Sequence, residues 1–205
     1  MSREPLRLGV LASGRGSNFA AIMRAIEGGR LNARVAVLIS DQPQAPALSL
    51  ARGFGVPAEV ISPRQFADKS QFEDALAQAC QKFQVEVVVL AGFMRLLGAG
   101  FLSRYPQRVV NIHPALLPAF PGLNAQKQAV EYGVRFSGCT VHLVDEGMDS
   151  GPIIMQAAVP VEPDDDEHTL AERILKEEHR LYPQALQLMA DNRLIIRDRR
   201  VYIKE

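Results

Sequence analysis

Little in this chain of 205 residues points to a metal, a disulfide framework, a membrane or a polyanion. Cysteine is scarce: Cys80 and Cys139 stand far apart, with no CxxC and no Cys/His cluster. That pattern argues against structural zinc or a stapled scaffold and suits a reducing compartment. Net charge is absent, because 23 Lys and Arg balance 23 Asp and Glu, so neither nucleic acid nor a membrane surface is an expected partner. No apolar run approaches the roughly 20 residues of a membrane span. The opening MSREPLRLGVLASG is charged too early, and its apolar run is too short, for a signal peptide. These absences predict a cytoplasmic protein with small-molecule partners.

What is present is the composition of a globular protein, 47% hydrophobic and 22% charged. The length fits a single domain, read here as two lobes of about 1–105 and 106–205. In the first lobe the hydrophobic rhythm alternates between two periods. Residues 6–12 (LRLGVLA), 34–41 (RVAVLISD), 58–62 (AEVIS) and 85–92 (VEVVVLAG) read as strands. Helices are expected after the SGRGSN loop, over 45–55, and over 70–83, where Ser70 and Glu73 suggest a capping box. The near-continuous β-branched run of 85–92 suits a strand covered on both faces. This βαβ pattern predicts an α/β, Rossmann-like, doubly wound, mostly parallel sheet.

The rhythm then changes. A helix is expected within LNAQKQAVEYG, but SGCTVHLV and PIIMQAAVPV are strands separated only by DEGMDSG, which predicts an antiparallel C-terminal extension. A long helix from 167 to about 191, bent or interrupted at Pro183, and a closing strand or hairpin over LIIRDRRVYI complete the reading.

Several stretches carry candidate chemistry. SGRGSN lies between a strand and a helix, where backbone amides and a helix N-terminus favour an anion; the plainer alternative is a simple turn. Phe19 replaces the third glycine of a dinucleotide fingerprint, so a monophosphate fits better than a dinucleotide. Asp41, after the second strand, imitates a ribose-binding acid but equally suits a turn. AGFMRLLG follows the central strand at the edge where doubly wound sheets bind ligands; Phe93, Met94, Leu96 and Leu97 would line an apolar pocket or simply pack.

Asn111 and His113, in VVNIHPALLPAFP, share one strand face because side chains repeat every two residues. Pro114, Pro118 and Pro121 stiffen the chain as it leaves that strand. His142, His168 and His179 lack such company and are read as mostly structural. Of the carboxylates in DEGMDSGP, Asp149 is the candidate to reach His113, where it would orient the ring and favour the imidazolium. Asp164, Asp165 and Asp166 open a helix, and capping accounts for them without a metal.

Taken in order, SGRGSN, VVVLAGFMRLL, VVNIHPALLPAFPG, DEGMDSGPIIMQAAVPV and EEHRLYP closely resemble the phosphoribosylglycinamide formyltransferase family, the folate-dependent glycinamide ribonucleotide transformylases of purine synthesis. The resemblance implies the formyltransferase fold and, as co-substrate, 10-formyltetrahydrofolate without a metal. It implies that Gly16, Ser17, Asn18 and Glu178 hold the ribonucleotide. It further implies that Lys69, Met94, Arg95, Leu96, Leu97 and Asn111, with the Asp145, Glu146, Gly147, Met148 and Asp149 loop, bind the formyl folate. Asn111, His113 and Asp149 would be catalytic, and Leu117-Pro118 a cis peptide. Two positions depart from the family pattern: Lys69 stands where an arginine is expected, losing the guanidinium fork, and Leu175 replaces a polar residue three before Glu178. The competing readings are a formyltetrahydrofolate hydrolase, a formyl-methionyl-tRNA-making enzyme and a non-catalytic nucleotide-binding domain. A chain this short leaves no room for an RNA-binding appendage or regulatory domain; monomer and homodimer are equally compatible with it.

Overall fold

A computed structural model describes residues 4–205. The chain divides into two compact units, one running to Val110 and one from Asn111 to Glu205.

In the first unit, strands β1 (Leu6–Leu11), β2 (Ala33–Ser40), β3 (Ala58–Val60) and β4 (Val87–Leu90) alternate with helices α1 (Ser17–Glu27), α2 (Pro46–Gly53) and α3 (Lys69–Lys82). The strands lie in the order β3-β2-β1-β4, all parallel. Leu8, Val10 and Leu11 of β1 and Val87, Val88 and Val89 of β4 are fully buried, because helices cover both faces of such a sheet. Each large aliphatic side chain so buried contributes about 1.5–3 kcal/mol. The short helix α4 (Ala99–Leu102) closes this unit.

One expected detail is wrong. Helix α3 is capped not by Ser70 but by Asp68, whose carboxylate accepts the Gln71 N–H at 2.9 Å. Glu73 is instead buried, and its Oε1 accepts the Gly98 N–H at 2.7 Å. An acid at that helical position faces inward rather than toward the helix start, so it serves the loop after β4.

Strand β5 (Val109–His113) carries the chain into the second unit. There, β6 (Phe136–Leu143) and β7 (Ile153–Pro160) are antiparallel, and the hairpin of β8 (Leu194–Arg197) and β9 (Arg200–Ile203) adds to β7 through β9. Helix α5 spans Ala125–Tyr132, and α6, Glu167–Ala190, runs through a buried Pro183 without interruption. Asp166 caps α6, accepting N–H bonds from His168 and Thr169, as the acidic run predicts. The fold is thus the expected α/β class, mostly parallel with antiparallel C-terminal strands. No helix among the described residues is long and apolar enough to cross a membrane.

Candidate active site

The first unit presents its candidate residues at the carboxyl ends of its strands. Gly16, at the start of α1, has φ +78 and brings no side chain to cap the helix. A Cβ there would sit 2.8 Å from the Ala47 Cβ, so the close approach of α2 requires glycine. Asn18 is buried and Ser17 half-buried. Phe19 is fully buried and meets Phe54 edge-on at 5.9 Å, filling with aromatic packing the place where a dinucleotide fingerprint has glycine.

The segment after β4 is fixed at several points. The Ser13 Oγ accepts the Met94 N–H at 3.0 Å, and the Glu73 carboxylate accepts that of Gly98. Met94 and Leu96 are exposed, whereas Phe93 and Leu97 are buried. A cavity of about 490 Å³ is lined by Lys69, Met94, Arg95 and Leu96 together with Phe66 and Phe72. Phe93 and Leu97, both buried, are not among its lining. Lys69 is exposed, with its ammonium 3.5 Å from Glu73. Asp41 is no surface turn residue: its side chain is 1% exposed and takes the Arg95 Nε–H at 2.7 Å.

The second unit holds a polar cluster, with His113 and His142 buried and Asn111 and Asp149 half-buried. The Nδ1 of His113 lies 3.3 Å from Asp149 Oδ2, and the Asn111 Nδ2 donates to Asp149 Oδ1 at 3.4 Å. His113 Nε2 lies 2.8 Å from the Phe120 carbonyl; a carbonyl only accepts, so this nitrogen carries a hydrogen. Both ring nitrogens of His113 therefore face acceptors, and a ring with two N–H groups satisfies both.

Asp149 sits at φ +50 and its carboxylate also accepts the Gly122 N–H at 2.8 Å. Burial pushes this carboxyl's pKa up, but hydrogen bonds from His142 and Gly122 and the charges of His113 and His142 outweigh it and hold the group below the ordinary aspartate value. The left-handed backbone at Asp149 is maintained by its loop. Asp145 Oδ1 accepts from Ser150 Oγ at 2.6 Å and from the Gly147 N–H at 3.2 Å. Arg199 donates to the Ser150 carbonyl at 2.7 Å. A Cβ at Gly151 would fall 1.8 Å from the Leu143 carbonyl oxygen, so the turn into β7 admits only glycine.

His142 is the residue that sequence reasoning leaves aside. It is 2% exposed, its Nδ1 donates to the Leu143 carbonyl at 2.9 Å, and its Nε2 lies 3.2 Å from Asn111 Nδ2 and 3.6 Å from Asp149 Oδ1. A register shift between Val141 and His142 in the β6–β7 ladder coincides with it; bulges re-aim side chains in this way. Alternation along β6 contains no sign of that shift.

The proline segment is held by more than proline. Thr140 Oγ1 donates to the Ala115 carbonyl at 2.7 Å and accepts the Leu117 N–H at 3.1 Å. Gln156 Nε2 donates to the Leu117 carbonyl and to Thr140 Oγ1. Leu117-Pro118 is cis. Glu178 is buried in α6, and after burial itself its charge is the next cause pushing the Cys139 thiol up to about 12.

Residues 6–186 match the formyl transferase family. The chain is 42% identical to a phosphoribosylglycinamide formyltransferase of Bacillus subtilis, over 88% of this chain and 93% of that one. It is 44% identical to the trifunctional purine biosynthetic protein adenosine-3 of Drosophila melanogaster, over 96% of its own length but only 15% of that much longer relative. The crystal structure of glycinamide ribonucleotide transformylase 1 from Symbiobacterium toebii superposes with a TM-score of 0.97 at 50% identity, covering 98% of this chain and 95% of that one.

Proposed function

The chain belongs to the formyl transferase family, and from that premise we propose that it transfers the formyl group of 10-formyltetrahydrofolate to the glycine amine of phosphoribosylglycinamide, a step of purine synthesis. The observation that carries this reading is the group of buried His113 with half-buried Asn111 and Asp149 on one strand end and one braced loop. It supplies what acyl transfer to an amine requires: donors fixed in advance for a developing oxyanion, and a relay for one proton.

The neutral amine attacks the formyl carbon, and the carbonyl electron pair moves onto the formyl oxygen. The Asn111 Nδ2 donates one hydrogen to Asp149 over a long 3.4 Å contact. That long bond is the one a developing oxyanion replaces. As the intermediate collapses, the former amine loses a proton and N10 of the folate gains one. The His113–Asp149 pair handles that exchange, directly or through water, with Asp149 orienting the ring. Direct attack by the amine requires no metal, no nucleophilic side chain and no covalent enzyme intermediate.

Gly16, Ser17 and Asn18 at the start of α1 bind the ribonucleotide phosphate, favoured by the amide dipoles there, and Glu178 contacts the ribonucleotide. Lys69, Met94, Arg95, Leu96 and Leu97, with Asn111 and the 145–149 loop, bind the folate. Aromatic and aliphatic lining with two cations in the 490 Å³ cavity, beside the single acid Asp68 whose carboxylate is taken up by the Gln71 N–H, suits an aryl group that ends in carboxylates. The reaction belongs in the cytoplasm, with a monomer or homodimer as working unit.

The test is a spectrophotometric assay of the purified chain with 10-formyltetrahydrofolate, with and without phosphoribosylglycinamide, following the deformylated folate. Release that depends on the nucleotide is expected. Release without it would replace the proposal by a hydrolase, and no release in either mixture would overturn formyl transfer to this acceptor.

A further inference from the structure

Asp41 is a costly residue to bury. Its side chain is 1% exposed at the end of β2. Oδ2 accepts from Arg95 Nε at 2.7 Å and from Gln42 Nε2 at 3.1 Å, while Oδ1 has no hydrogen-bond partner. A half-satisfied buried carboxylate is a poor stabiliser, since an apolar or neutral side chain of similar size avoids the desolvation. Its one strong contact is the arginine in the middle of the segment after β4.

That contact decides how Arg95 presents itself. The pairing occupies Nε, and neither terminal nitrogen has a hydrogen-bond partner among the described residues. The guanidinium lies over the Phe72 ring, 5.7 Å from its centre, and its side chain, 40% exposed, lines the cavity beside Phe66, Met94 and Leu96. An arginine held from behind by Nε and set against a ring has its fork of terminal N–H groups free for a carboxylate, the geometry of a bidentate pair. Unpaired, a long side chain that exposed samples many rotamers and loses more entropy on binding.

We propose that Asp41 is a positioning residue: through the buried Asp41–Arg95 pair it aims the Arg95 guanidinium at a carboxylate on the glutamyl end of the folate. This rests on the folate reading above. It also explains how the site works with Lys69 where an arginine is expected: the ammonium of Lys69 is already 3.5 Å from Glu73 and offers a point charge, so the planar recognition falls to Arg95.

The test measures binding rather than turnover. Tetrahydrofolate and its α,γ-diamide, in which both glutamate carboxylates are neutral, are titrated calorimetrically into the intact chain, without nucleotide, for the wild type, Asp41→Asn, Arg95→Gln and the double variant. Because Arg95→Gln changes the exposed end of the pair, it reads the same contact even if Asp41→Asn folds poorly. Each single variant is expected to weaken tetrahydrofolate at least tenfold. The double variant should weaken it no further, since both changes remove one unit. The diamide should bind all four proteins within about twofold of one another, which a merely structural role for Asp41 would not produce. Wild-type tetrahydrofolate affinity in Asp41→Asn, an equal loss for the diamide, an additive double variant, or no tetrahydrofolate binding by the wild type would each overturn the proposal. A chain that binds tetrahydrofolate with this pattern yet transfers no formyl group would break the catalytic reading alone.

Discussion

The two units make their candidate sites from different materials. In the first, the chemistry lies in backbone and exposed side chains: the amides after Gly16, and Met94, Arg95 and Leu96 on a segment tied down by Ser13, Asp41 and Glu73. In the second, it lies in side chains buried together, with His113 and His142 at 4% and 2% exposure around the carboxylate of Asp149. A backbone cradle binds and tolerates many side chains provided the chain can follow its path. A buried polar cluster is intolerant, because losing one member leaves the others unpaired in a low dielectric. The difference teaches that substitutions at the backbone cradle of the first unit should alter binding and those at His113 and Asp149 in the second should alter the chemical step.

The largest expected effect breaks the comparison most directly. His113→Ala or Asp149→Asn should lower kcat by about 10²–10⁴, the scale of losing a positioned acid–base pair. The Michaelis constants for both substrates should change much less. Steady-state kinetics with each substrate varied would show it; turnover near the wild type in either purified variant would sink the catalytic assignment.

Next comes Gly16→Ala, which strikes the backbone cradle. The new Cβ meets Ala47 at 2.8 Å and must sit at φ +78, costing on the order of 1–3 kcal/mol of strain. A lower midpoint in urea is expected with a raised KM for the nucleotide and an unchanged KM for the folate. If kcat alone fell, the division between a binding unit and a chemical unit would be wrong.

How much of this is legible in the sequence follows from the same contrast. The βαβ rhythm of the first unit is local, and a run such as VVVL suits burial in a parallel sheet, so strand and helix order can be read directly. Asn111 and His113 are legible because two residues along a strand always share a face, and DEGMDSGP because acids flanked by glycines are unusual between strands. Glu73 misleads, since SQFE has the letters of a capping box while Asp68 two residues earlier does the capping. Asp41 and His142 are undervalued for one shared reason. Each has a partner distant in sequence, Arg95 in one case and Asn111 in the other, and a register shift in a ladder has no sequence mark. Local periodicity reports which side a residue faces and is silent about what it meets there.

A smaller effect sharpens the account of the proline segment. Thr140→Val keeps the shape but leaves the Ala115 carbonyl and the Leu117 N–H without the hydroxyl between them. The expected cost is about 2 kcal/mol, read as a lower urea midpoint at unchanged slope, with a smaller fall in kcat than His113→Ala gives. A stability equal to the wild type would mean that the prolines alone hold the segment.

The smallest effect separates carboxylates that stabilise from carboxylates that react within the second unit. The hydrogen bond from Arg173 holds the Asp165 carboxyl well below the usual aspartate range, helped by the Glu162 N–H. A group whose folded pKa is depressed adds stability that is fully present above its unfolded value, about 4. That stability drains away as pH falls through the folded value. Asp165→Asn should therefore be less stable than the wild type at pH 6, and the gap should close between about pH 4 and the acid limit of folding. Its kcat at neutral pH should match the wild type, in contrast to Asp149→Asn, whose carboxyl is also held low but by the histidines and the Gly122 amide of the cluster. Denaturation curves from pH 6 to pH 2 distinguish the cases. A gap that stayed constant across that range would show that Asp165 acts through packing rather than charge, and a parallel loss of kcat would place it with the reactive group.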